Sequence, residues 1–72
     1  MSVPPVEEVT AEVVRRLQQL RKQRGLTLQE VYDATGIHVA RLEAKKANLT
    51  VHTLVVLCRY YETSLAEFFR KL

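Results

Sequence analysis

Apolar residues recur at Val6, Val9, Val13, Leu17 and Leu20, the three-and-four spacing that lines up side chains on one face of an α-helix. The polar positions agree with a helix running the same way. Glu7 and Glu8 fall in its first turn, Arg21, Lys22 and Arg24 in its last, and Gly25 can take the left-handed conformation that stops it. Thr27-Leu28-Gln29-Glu30 has the form of a capping box and predicts a second helix with Leu28 and Val31 inward, ending near Thr35 before Gly36. From Ile37, the spacing of Val39 and Leu42 predicts a third helix that frays near Lys46. Asn48-Leu49-Thr50 reads as a turn, with Thr50 capping a fourth helix that turns Val51, Leu54, Leu57 and Cys58 inward and continues to Tyr61. Ser64-Leu65-Ala66-Glu67 repeats the capping-box pattern, and Leu65, Phe68 and Phe69 give the fifth helix its apolar side.

The expected fold class is therefore all-α: a compact five-helix unit over residues 6–72, preceded by an N-terminal tail at 1–5. Seventy-two residues offer limited apolar area, so the helices must share one core. Apolar residues make up 47% of the chain, with only two Gly and two Pro, which argues against a disordered or turn-rich β protein.

Charge sharpens the picture. The net charge is +3, but Glu7, Glu8 and Glu12 crowd the start, and the remainder carries eleven basic against five acidic residues. That balance favours a polyanionic partner without requiring one. A lone Cys58, no charged-then-apolar leader and a longest apolar run of five residues, Leu54 to Cys58, point to a reducing, cytoplasmic setting with no membrane span.

No catalytic constellation emerges. His52 and Cys58 are six residues apart and point about 120° from each other on one helix, with no further ligands grouped nearby for a metal. The two serines, Ser2 and Ser64, fall in a tail and at a cap, and no third residue suggests itself to orient a Cys-His pair. No cofactor, metal or enzymatic activity is expected.

Two short helices separated by Gly36, the second with a polar and partly basic face, form the pattern of a helix-turn-helix over about residues 28–46. Such a helix fits the major groove, where side chains near its start meet base edges and basic residues hold phosphates. The ordered set Leu20-Arg21, Gly25-Leu26-Thr27, Gly36-Ile37, Arg41-Leu42-Glu43 and Asn48-Leu49-Thr50 resembles the lambda-repressor and Cro-like helix-turn-helix regulators, also called the xenobiotic-response-element family, over roughly Val13 to Phe69. The resemblance implies sequence-specific binding of double-stranded DNA, transcriptional regulation, and a structural pairing of Arg21 with Glu43.

The chain also departs from that family. Gly36 and Glu43 are seven positions apart, three fewer than the family usually has, which shortens the third helix or its lead-in by ~4.5 Å. Beside the gap, Tyr32 replaces a small residue, Thr35 an apolar one, and Lys45 a common Gly. Tyr32 is expected to fill space left by the missing turn, and Lys45 makes a left-handed end of the third helix unexpected.

Candidate DNA contacts follow from position. Gln29 would sit near the start of the second helix; His38, Ala40, Arg41 and Ala44 would face the groove; Lys45, Lys46 and Asn48 would bind the flanking backbone. Arg41 is the leading base reader because its fork matches guanine O6 and N7, while His38 could equally cap the third helix. Tyr60, Tyr61, Phe68, Phe69 and Leu72 exceed what one small core holds, because adjacent residues on a helix point about 100° apart, so they are candidates for a homodimer interface. The alternative is a protein-interaction module, for example antitoxin-like, that keeps the scaffold but has lost base reading and docks an unknown protein partner.

Overall fold

The computed structural model describes residues 3–72 and contains α1 (Val6–Gln23), α2 (Leu28–Thr35), α3 (Val39–Glu43), α4 (Val51–Tyr60) and α5 (Leu65–Arg70), with no strand among those residues. The expected all-α, five-helix class is what the chain adopts. Met1 and Ser2 of the expected tail lie outside the described residues.

The helix ends show why the chain turns where it does. Gly25 (φ 66°) and Gly36 (φ 75°) both take the left-handed conformation that ends α1 and α2. Thr27 caps α2 reciprocally: its hydroxyl accepts from the Glu30 amide at 3.0 Å, while the Glu30 carboxylate accepts from the Thr27 amide at 2.9 Å. Thr50 accepts from the Thr53 amide at the start of α4. At α5 only half of the expected box forms. Ser64 accepts from the Glu67 amide, but the Glu67 carboxylate turns to Arg70 at 2.9 Å and Lys71 at 3.4 Å instead of reaching back.

α1 packs on α3, α2 on α3 and α4, and α4 on α5. The shared core comprises Val13, Leu17 and Leu20 of α1, Val31, Val39, Leu42, Leu54, Leu57 and Cys58, together with Tyr61 and Phe68. Burial pushes the Cys58 thiol up, so it stays protonated and packs as an apolar group.

Several expected inward residues face out. Val6 and Val9 are exposed because α1 outreaches its neighbours: eighteen residues span ~27 Å, and α1 buries its apolar face only from Val13 onward. Val51 is 76% exposed, and Leu28 and Leu65 are each 39% exposed. Each of these three is the first residue of its helix, and side chains there lean back over the cap rather than into the packed turns. Tyr61 and Phe68 are each only 1% exposed, so they complete the core and are unavailable as interface residues. Tyr60, Phe69 and Leu72 retain accessible surface.

Candidate nucleic-acid interface

α3 holds its place through a buried ion pair. Arg21, on α1, donates from Nε to Glu43 Oε2 at 2.8 Å and from Nη2 to Glu43 Oε1 at 2.9 Å. Its Nη1 donates to the Leu26 carbonyl at 2.8 Å, and Gln18 Nε2 adds a bond to Glu43 Oε1 at 3.1 Å. The guanidinium therefore satisfies both the end of α3 and the chain leaving α1, the bidentate geometry for which arginine is suited. Hydrogen bonding to Glu43 outweighs burial and raises the Arg21 pKa above its ordinary value, so the cation stays charged. Tyr61 packs beside the pair; burial, with a contribution from Glu43 and against the opposing effect of Arg21, pushes its phenol up to about 12.

α3 itself is shorter than Ile37 to Lys46. It contains only Val39-Ala40-Arg41-Leu42-Glu43, and both ends have a local cause. At the start, the Thr35 hydroxyl donates to the Val31 carbonyl at 2.7 Å and accepts from the Ile37 amide at 3.1 Å. The unusual Thr thus stitches the end of α2 to the abbreviated turn. At the far end, Lys45 adopts φ 61°, and the amides of Lys45 and Lys46 return to the carbonyls of Leu42 and Arg41 at 3.1 and 2.8 Å. This is a Schellman closure. The left-handed helix end is preserved with lysine in the place of glycine, contrary to the expectation from its side chain.

His38 occupies the N-cap position of α3 but makes no side-chain cap hydrogen bond. Its ring instead lies against Tyr32, with centroids 4.4 Å apart and planes tilted by 31°. Tyr32 does not plug the core beneath α3; it remains exposed and extends the outer surface between the two helices.

The candidate DNA contacts divide into two groups. Gln29, His38 and Ala40 line one cleft of about 240 Å³ between α2 and α3, together with Leu28, Tyr32 and Val39. Lys45 and Asn48 line a second groove of about 430 Å³, whose other wall is the N-terminal half of α1, including Val6, Glu7 and Thr10. Arg41 is exposed, but its Nη2 lies 3.3 Å from the Lys46 carbonyl, so the guanidinium bends along the loop. Gln29 donates to Asp33 Oδ1 at 2.9 Å, so its amide is engaged within α2. Ala44 and Lys46 are exposed at the end of α3.

The features that sequence reasoning missed are the Tyr32–His38 stack and the groove beneath α1. The first needed the path of the shortened turn; the second was concealed by reading Val6 and Val9 as core. Among the described residues no three His, Cys, Asp or Glu side chains group to hold a metal ion, and no helix is long and apolar enough to cross a membrane.

A pair of short helices joined by a three-residue turn, with the second pinned to α1 by a buried ion pair, defines a helix-turn-helix protein. The family model for helix-turn-helix domains matches residues 17–68, and the chain belongs to this lambda-repressor and Cro-like family of DNA-binding domains. No curated protein and no solved structure matches the chain.

Proposed function

We propose that the chain is a sequence-specific double-stranded-DNA-binding regulator of transcription, which acts by binding and performs no catalysis. In this reading residues 6–72 work as one unit in the cytoplasm. α3 and its C-cap present Ala40, Arg41 and Ala44 to the major groove, with Gln29 and His38 beside them, and Lys45, Lys46 and Asn48 anchor the flanking phosphates. Two copies pair through Tyr60, Phe69 and Leu72.

Family membership supports the DNA-binding half. The observation that carries the assignment to this surface is Lys45, an exposed cation just past the end of α3. Glu62 closes α4 with the same left-handed backbone (φ 59°), so it is the charge of Lys45 and not its backbone that marks the surface. Lys46 follows immediately, so the loop offers two adjacent cations to a phosphate backbone.

Binding measured by fluorescence anisotropy across a salt series tests the reading. The logarithm of affinity should fall linearly with the logarithm of salt, and Lys46→Ala should reduce that slope by about 0.9 while weakening all sequences alike. A salt-independent interaction, or no binding at low salt, would overturn it.

A second reading has its own support. The apolar surfaces of Leu65, Phe69 and Leu72 lie open on and after α5, as a protein-docking module would require. Sedimentation separates the two: self-association supports the dimeric regulator, whereas a monomer without DNA affinity favours the docking module.

A further inference from the structure

The shortened turn removes the leading turn from which a recognition helix ordinarily reads bases, and much of the surface left at that place is apolar. Leu28 and Tyr32 are one helical turn apart on α2, and each remains 39% exposed, the one aliphatic and the other an aromatic ring tipped by a hydroxyl. Tyr32 is propped against His38, which fixes the orientation of both rings. Ala40, exposed beside Arg41 in the first turn of α3, contributes only a methyl group. With Val39, these side chains bound the 240 Å³ cleft, to which Gln29, His38 and the Tyr32 hydroxyl bring the polar side-chain groups.

Major-groove chemistry limits what such a cleft can accept. Guanine, adenine and cytosine present hydrogen-bonding donors and acceptors at their exposed edges, and only thymine adds an apolar group, its C5 methyl. Pressing Leu28, Ala40 and the face of the Tyr32 ring against N7, O6 or an amino group would strip water from it without returning a hydrogen bond, a penalty that a methyl group does not incur.

We infer that the cleft between α2 and α3 is a thymine-methyl subsite, through which Tyr32, Leu28 and Ala40 read one base pair in place of the missing helical turn. The inference rests on the proposed DNA-binding function and adds the base class that this surface selects. Tyr32 acts as a specificity residue through contact, and His38 positions its ring. Lys45 and Lys46, just past the other end of α3, supply anchoring.

The test uses the full chain and a duplex enriched from randomised DNA. Each thymine in turn is replaced by deoxyuridine, which removes the C5 methyl and leaves the pairing edge unchanged. The expected result is one position per half-site at which uracil weakens binding by about fourfold, the burial of one methyl group. At that position Tyr32→Ala should bring the thymine-to-uracil affinity ratio to about one while the salt dependence stays as it was. Tyr32 is exposed, and circular dichroism checks that the variant remains folded. Specific binding in which no thymine can be distinguished from uracil would overturn the subsite while leaving the DNA-binding reading intact. A discriminating position that Tyr32→Ala does not affect would overturn this cleft as the reader. Failure to enrich any duplex would overturn both.

Discussion

Replacing Glu43 with Ala removes two of the three acceptors of the Arg21 guanidinium and leaves a buried cation with only the Leu26 carbonyl. The side chains of both partners are close to nine-tenths buried, at 11% and 12% exposure, so water cannot simply take the place of the carboxylate. Breaking one side of such a pair costs about 3–5 kcal/mol, most of it the desolvation of the charge left behind. A chain of this length has a total stability of roughly 4–11 kcal/mol, so the loss consumes much of the fold. At about 4–8 °C per kcal/mol for a small domain, Glu43→Ala should lower Tm by roughly 12 °C or more. The doubly apolar variant Arg21→Met/Glu43→Leu distinguishes desolvation from simple loss of attraction, because replacing a whole buried pair by packed apolar groups is near neutral. Thermal melts followed by circular dichroism measure both variants. A fall below about 4 °C for the single variant, or a double variant no more stable than the single, would refute the reasoning.

Two further predictions follow from the backbone and the core. Lys45→Gly should stabilise the domain by about 1 kcal/mol by relieving the positive φ, yet weaken DNA binding; urea unfolding and anisotropy titration of the same preparation should move in opposite directions. Tyr61 ties stability to alkaline pH: its phenol holds a proton in the folded state up to about 12, whereas in the unfolded chain it ionises near 10. Stability is therefore fully present below pH ~10 and lost as pH rises toward ~12, by about 3 kcal/mol. Comparing the pH dependence of urea unfolding with that of Tyr61→Phe isolates this contribution, and an unchanged alkaline slope in the variant would contradict it.

The sequence made helix boundaries legible where a local hydrogen bond or a glycine enforces them. Thr27, Thr50, Gly25 and Gly36 act within a few residues of themselves, so their roles can be read without knowledge of packing. The burial of Val6, Val9 and Val51 could not be read in the same way. Periodicity marks a face, but only the reach of neighbouring helices decides how far along that face a core extends. The same limit applied to the aromatic residues, where the excess over one core was visible but the division was not: Tyr61 and Phe68 pack inside while Phe69 stays open.

At the candidate site, local chemistry again separates what was readable from what was not. The importance of the interval between Gly36 and Glu43 was apparent from spacing, but its consequence depended on Thr35 bonding both Val31 and Ile37. That hydroxyl draws the turn tight and brings His38 against Tyr32, a contact between residues six apart that no helical periodicity anticipates. The side chain of Lys45 alone argues against a left-handed end. The amide bonds of Lys45 and Lys46 back to Leu42 and Arg41 stabilise a backbone conformation that the side chain disfavours.

The central claim is that the surface from Gln29 to Asn48 selects a particular DNA sequence. Enrichment of bound duplexes from a fully randomised pool, followed by sequencing, tests it most directly. The account predicts a single enriched motif, arranged as two inverted half-sites if two copies bind together, with affinity for it that falls steeply with salt. Recovery of a pool as random as the one supplied would contradict it.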